Sequence, residues 1–332
     1  MSAAGGDGSV FAYRRGSLHA EGVPLARIAR DLGTPCYVYS SAALVAQYRA
    51  FAQAFAGQDA AIFYGVKANA TLAVVACLAR EGAGADVVSE GEMRIALAAK
   101  LPPRRILLSG VGKTPAEIAF AIEKSIYQIS VESAAELEIV SALARARGKR
   151  IAVAIRVNPD VDAGTHAKIT TGLKENKFGV PLHEARALYK RGATLPGVAM
   201  RGIAVHIGSQ LTTLAPYRKA FRRVLELLRQ LREDGHAIDR LDLGGGLGIT
   251  YKDETPPSIA DYAAMIKTMT KGLGCHLIFE FGRFLVGNAG VLLAQVLYVK
   301  QNGSDRFVIL DTGMTELIRP TLYDAYHEVL PL

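Results

Sequence analysis

The sequence predicts an α/β protein of the (β/α)8 TIM barrel class. Three observations carry this expectation. Eight short apolar runs recur along the chain, helix signals stand between them, and residues capable of chemistry collect at the run ends. With 332 residues, half of them hydrophobic, the chain is long enough for one such barrel plus an appendage.

The runs, in order, are AIFYGV (61–66), ADVVS (85–89), RILLSG (105–110), YQISVE (127–132), IAVAIRVN (151–158), GIAVHIG (202–208), RLDLGGG (240–246) and HLIFEFG (276–282). Nearly continuous apolar strands alternating with helices imply a parallel sheet covered on its outer face. Between the runs, Thr114-Pro115-Ala116-Glu117 and Ser133-Ala134-Ala135-Glu136 read as capping boxes. Gly148 and Gly235 fall where helices should stop. A doubly wound open sheet is the alternative, with fewer strands and a nucleotide loop after the first.

In a barrel, chemistry sits at the C-terminal ends of the strands. Lys67 follows the first run, and Asp86 and Ser89 lie on the second. Ser109 and Glu132 end the third and fourth, Arg156 and Asn158 the fifth, His206 and Ser209 the sixth. Gly244, Gly245 and Gly246 end the seventh; Glu280, Gly282 and Arg283 end the eighth. A lone lysine at such a junction reads as a snorkelling surface residue. Eight strand ends of this kind are not explained as surface decoration.

The net charge is +8, but the basic residues are scattered. The densest cluster, RKAFRRVLELLRQLRED (218–234), spaces Phe221, Val224, Leu225, Leu228 and Leu231 as a core helix with a solvated basic face. It is no obvious nucleic-acid arm, although the positive field suits an anionic substrate or cofactor. Cys36, Cys77 and Cys275 fit neither a metal site nor a disulfide framework. The segment MSAAGGDGSVFAYRRG lacks the layout of a signal peptide, and the longest apolar run, near 284–299, is too short to span a bilayer. A cytoplasmic protein without membrane or nucleic-acid partners is expected.

The glycines after the seventh run let backbone N–H groups approach an anion, though a tight turn alone would also use them. A dinucleotide fingerprint fails, because its third glycine would fall on Ile249. A phosphate cradle, a lysine at the mouth and an acid nearby together suggest pyridoxal phosphate. Lys67 would form its Schiff base, Glu280 would keep its pyridine nitrogen protonated, and a neutral His206 would stack on the ring.

At this point the chain resembles the diaminopimelate decarboxylase family, in the alanine-racemase-like (fold type III) group of pyridoxal-phosphate enzymes. The resemblance covers nearly the whole chain: GTPCYVYS (33–40), YGVKAN, GADVVSEGE (84–92), RVNPDVDAGTHAKITTGLKENKFGV (156–180), HIGSQ (206–210), LDLGGGLGI (241–249) and DTGMTELIRPTLYDAYHEVLPL (311–332). It implies that Lys67 and His206 are catalytic. It implies cofactor contacts from Asp86, Arg156, Ser209, Gly244, Gly245, Gly246, Glu280, Gly282 and Arg283. Arg283, Arg319 and Tyr323 would bind the far end of the substrate. The implied reaction turns meso-2,6-diaminopimelate into L-lysine and CO2, in a homodimer.

The resemblance also implies a barrel over 40–285 and a β-rich second domain from 1–39 and 286–332. Two departures stand out. Phe281 replaces the family's usual proline, and the chain ends at Leu332 before the family's cysteine-glutamate motif and late tyrosine, so the second domain is expected to be partial. A pyridoxal-phosphate-binding protein without turnover, a decarboxylase of another diamino acid and a racemase are the competing readings. Glu280 disfavours the racemase.

Overall fold

The structure, a computed structural model, describes residues 10–162 and 177–332. The middle of the 156–180 stretch singled out above, residues 163–176, lies outside the described residues, as do the first nine. The chain divides into two compact units. One holds the described residues up to Ala46, with Thr250–Glu254 and Val286–Leu332; the other holds the described residues of 47–249, with Thr255–Leu285.

The second unit is a closed barrel of eight parallel strands. These are β1 (Ala60–Gly65), β2 (Gly84–Val87), β3 (Ile106–Leu108), β4 (Gln128–Val131), β5 (Ile151–Asn158), β6 (Val198–Val205), β7 (Arg240–Asp242) and β8 (His276–Phe279). Each pairs with the next, β8 pairs with β1, and every pairing is parallel. A short piece, Val180–Pro181, adds to the end of β5 at Val157 and Asn158.

All eight expected strands are present, but their ends differ. The ladders stop at Val87, Leu108, Val131, Asp242 and Phe279, so Ser89, Ser109, Glu132 and Glu280 lie just beyond pairing. Lys67 sits in a 3-10 turn, Val66–Ala68. β6 begins at Val198, four residues before its apolar run, because pairing with β5 starts at Ile151 and continues through an irregularity between Met200 and Gly202. Backbone pairing, not side-chain polarity, sets that start.

Side chains alternate between the barrel interior and the helical layer. Phe63, Leu107 and Ile278 form one interior cluster. Asp86 stands in register with Leu107, and Asp242 with Ile278, so both acids share the inward face. On the outer face, Phe279 and Phe281 stack at 6.1 Å between centroids. Phe51 lies 5.1 Å from Phe279 and 4.8 Å from Phe281, and Tyr262 lies 5.8 Å from Phe281. Phe281 is fully buried, which gives the departure from proline a packing role. Its carbonyl also accepts the Gly65 N–H at 3.1 Å.

Thr114 and Glu117 make the expected reciprocal capping box. Ser133 makes only half of one. Its side chain accepts the Glu136 N–H, but Glu136 turns to the Glu132 N–H at 2.9 Å and to Lys113 Nζ at 2.6 Å. The buried ammonium of Lys113 outcompetes the helix cap for that carboxylate. Gly148 and Gly235 follow their helices with φ of 62° and 87°.

The first unit is built differently. Phe11–Arg14, Ser17–Ala20 and Val23–Pro24 form an antiparallel sheet. Cys36–Tyr39 pairs antiparallel with Gly290–Leu293, and Val296–Asn302 forms a hairpin with Asp305–Leu310. Leu18, Ala20, Leu25 and Leu293 make its core. The helix Arg319–Tyr323 carries two of the expected substrate residues.

Truncating Phe281 to Ala empties the centre of the aromatic cluster. Denaturant unfolding should show a loss of about 3–5 kcal/mol, as for other buried Phe→Ala changes. A loss below about 1 kcal/mol would mean that the cluster closes over the gap.

Candidate active site

Lys67 Nζ donates to Asp86 Oδ2 at 2.7 Å. Half of the lysine side chain is accessible, whereas that of Asp86 is wholly buried. The Ser109 hydroxyl donates to the other Asp86 oxygen, so both oxygens are engaged. A Cβ on Gly65 would stand 3.5 Å from Lys67 Nζ and 3.6 Å from the Gly282 backbone, which places these groups together. Burial works against the Lys67 ammonium and Arg156 adds to that. Asp86 and Glu280 outweigh both, and the amine is held above the usual lysine range.

Arg156, inside the end of β5, pairs with Glu132 at 2.9 Å. The second Glu132 oxygen accepts the Gly179 N–H at 2.9 Å, and the Phe178 ring lies 4.9 Å under the guanidinium. His206 follows β6, and its Nδ1 accepts the Gly245 N–H at 3.3 Å. An accepting Nδ1 leaves the ring proton on Nε2. Burial, then Arg156 and Lys67, push the His206 pKa well below the usual histidine range, so the imidazole is neutral.

The loops after β6 and β7 are zipped together. The Leu211 N–H donates to the Gly246 carbonyl at 2.9 Å, and the Gln210 side chain binds both the N–H and the carbonyl of Ile249. Ser209 is thereby set beside the glycines. Gly244 and Gly246 have φ of 65° and 96°, and a Cβ on any of the three glycines would collide with the carbonyl of Val205, Glu280 or Gly208. Close backbone approach between strand ends therefore demands glycine here, apart from any anion.

Glu280 is fixed through its backbone, whose N–H donates to the Gly244 carbonyl at 2.8 Å. Between outward Phe279 and Phe281, its side chain turns inward toward Asp242. Burial, then Asp242 and Asp86, raise the Glu280 pKa well above the carboxylate range. Gly282 and Arg283 follow directly, with Arg283 opening the short helix Arg283–Val286.

The barrel thus gathers Lys67, Asp86, Arg156, His206, Ser209, the three glycines, Glu280, Gly282 and Arg283 at the C-terminal ends of its strands. Arg319 and Tyr323 belong to the other unit. There Arg319 stacks 4.5 Å over the Tyr251 ring and meets His327 Nε2 at 3.2 Å. Sequence reading passed over Asp242. An acid inside the apolar run RLDL, in step with inward positions, was the signal available. Ser89 is a helix cap rather than a strand residue, accepting the Glu92 N–H. A concavity of about 360 Å³ lined by Leu225, Leu228, Arg232 and Leu273 contains none of these residues.

Residues 41–287 match the pyridoxal-dependent decarboxylase family, pyridoxal binding domain. The chain is 49% identical over 324 residues to a diaminopimelate decarboxylase of Zymomonas mobilis, covering 96% of this chain and 77% of that protein. It is 49% identical over 319 residues to one of Pseudomonas aeruginosa, with the same coverage. Among solved structures, diaminopimelate decarboxylase of Helicobacter pylori complexed with L-lysine superposes with a TM-score of 0.89 at 38% identity, covering 92% of this chain and 77% of that one. The M. jannaschii enzyme, also with L-lysine, gives 0.91 at 37% identity, covering 96% and 77%. With this identity over nearly its whole length, on a barrel whose strand ends carry an amine and its carboxylates, the chain belongs to the diaminopimelate decarboxylases, which are pyridoxal-phosphate-dependent lyases.

Proposed function

We propose that the chain decarboxylates meso-2,6-diaminopimelate to L-lysine and CO2, with Lys67 holding pyridoxal phosphate. The observation that carries the residue assignment is the Lys67–Asp86 pair, set within reach of Glu280, Arg156 and His206. The residues suit the cofactor: an amine for its aldehyde, an acid for its ring nitrogen, a neutral imidazole and a glycine-rich backbone for its phosphate. When bound, the cofactor supplies the electron sink for the pair released with CO2.

The protein's own groups do the rest. Asp86 Oδ2 is placed to take the proton that Lys67 Nζ must lose before it acts as a nucleophile. Ser109 holds Asp86 in that orientation. Glu132 fixes Arg156, and the Gly245 N–H fixes the His206 ring. Glu280 offers its carboxyl to the ring nitrogen, and Ser209, Gly246, Gly282 and Arg283 offer donors to the phosphate, while Gly244 and Gly245, whose N–H groups are held by Asp242 and His206, let the backbone approach it closely.

The far end of the substrate carries an amine and a carboxylate, which we assign to Arg283, Arg319 and Tyr323. Among the described residues no carboxylate pairs with Arg319, which leaves its charge for an anion. The same reading makes the protein a cytoplasmic homodimer acting on a small amino acid, without nucleic acid or membrane. Among the described residues no helix is long and apolar enough to cross a membrane.

Release of CO2 and formation of lysine from meso-diaminopimelate, with pyridoxal phosphate added, test the function directly. Lysine formation is expected; cofactor binding without CO2 release would leave a binding protein. In Lys67→Ala, borohydride treatment should fix no cofactor to the chain, and a mass increase in that variant would overturn the assignment. In Arg319→Met, loss of a charge-assisted hydrogen bond should raise KM for diaminopimelate roughly 10- to 100-fold while the borohydride-fixed adduct persists. An unchanged KM would remove Arg319 from the substrate site.

A pH effect follows from His206. Its folded pKa lies below the ordinary value of 6.5, so the unfolded chain takes up the proton first. The stability it contributes is complete above that value and is lost as pH falls through and below it, with a slope of at most about 1.4 kcal/mol per pH unit. The difference in unfolding free energy between the cofactor-free wild type and His206→Gln should show that slope. A flat difference would mean an exposed histidine.

A further inference from the structure

Asp242 plays no part in the chemistry above, yet its environment is unusual. It is 1% exposed. Oδ1 accepts the Gly244 N–H at 3.0 Å, and Oδ2 is buried with no hydrogen-bond partner among the described residues. A bare carboxylate oxygen in that position is costly. The charged and titratable groups facing it come from several elements: Glu280 after β8, Asp86 on β2, Arg156 on β5 and Tyr262 on the helix Ile259–Met269. Lys67 faces Glu280 from the turn after β1.

The two cations are already committed. Lys67 pairs with Asp86, and Arg156 pairs with Glu132. Among the described residues neither Asp242 nor Glu280 forms an ion pair, and the two carboxyls face each other with Arg156 and Lys67 acting on them only from a distance. Two buried carboxyls so placed cannot both ionise. We propose that Asp242 is a positioning residue for Glu280: the two carboxyls share one proton, which rests on Asp242 Oδ2 when the cofactor's ring N–H faces Glu280. The proton leaves a Glu280 oxygen and binds Asp242 Oδ2, and the negative charge moves to Glu280 opposite the ring N–H cation. An Asp242 O–H donated to Glu280 then satisfies the orphaned oxygen and orients the glutamate. Burial raises both acids above the carboxylate range, in keeping with one retained proton.

The backbone joins the same pair a second time. Asp242 Oδ1 holds the Gly244 N–H, and the Gly244 carbonyl holds the Glu280 N–H. One side chain thereby sets both the glycine turn and the acid beyond it.

The inference rests on Glu280 facing the ring nitrogen, as proposed above, and two readouts separate the two claims. In the cofactor-loaded chain at neutral pH, infrared spectroscopy should show the C=O stretch of a protonated, buried carboxyl. That band should shift when aspartate is isotope-labelled and vanish in Asp242→Asn. The resonance of an isotope-labelled ring nitrogen should keep its protonated position in Asp242→Asn, whose amide still donates to Glu280, and move toward that of free pyridine in Asp242→Ala. Glu280→Gln is the control. If it leaves the ring-nitrogen resonance unmoved, the role of Glu280 fails. If it moves the resonance while the carboxyl band is missing or survives Asp242→Asn, only the role of Asp242 is overturned.

Discussion

Asp86 is a wholly buried carboxylate at the end of β2, and it is tolerated there because Lys67 and Ser109 engage its two oxygens. Losing one partner of a buried pair strands a charge and typically costs about 3–5 kcal/mol. The rest of the barrel mouth is arranged around the same difficulty. Glu132 and Arg156 form a second pair, with the spare glutamate oxygen satisfied by a backbone N–H. His206 avoids the problem by staying neutral. Among the described residues the Asp242 and Glu280 carboxyls form no ion pair, and there a shared proton does what a paired counter-ion does for Asp86 and Glu132.

Rigidity of the mouth comes from the barrel wall. Glu280 projects inward because Phe279 and Phe281 on either side project outward into the Phe51 and Tyr262 rings. Its backbone is held to β7 through Gly244, and the next carbonyl is held to β1 through Gly65. The glycines let three strand ends close to distances that no Cβ allows. A charged group can be placed within a few tenths of an ångström only when its own backbone cannot move, and here hydrogen bonds from two neighbouring strands ensure that.

Much of this was legible in the residue order. Eight apolar runs marked eight strands, and Lys67 and Glu280 stood out as charged residues at strand ends where an apolar side chain would be buried at no cost. The Thr114 cap was readable because both halves of its box are local. The Ser133 cap was misread because Lys113, twenty residues earlier, takes its glutamate. Asp242 was missed because one acid in a strand looks like an exposed edge until the register places it beside Ile278 in the interior.

Sequence alone determined the class of fold and the family, since apolar periodicity and local motifs depend on neighbours along the chain. Tertiary structure decided where strands ended, which acid met which cation and which carboxyls were left to each other. Those outcomes depend on backbone pairing and on electrostatics across the barrel, between residues as far apart in the chain as Lys67 and Glu280, and no local pattern encodes them.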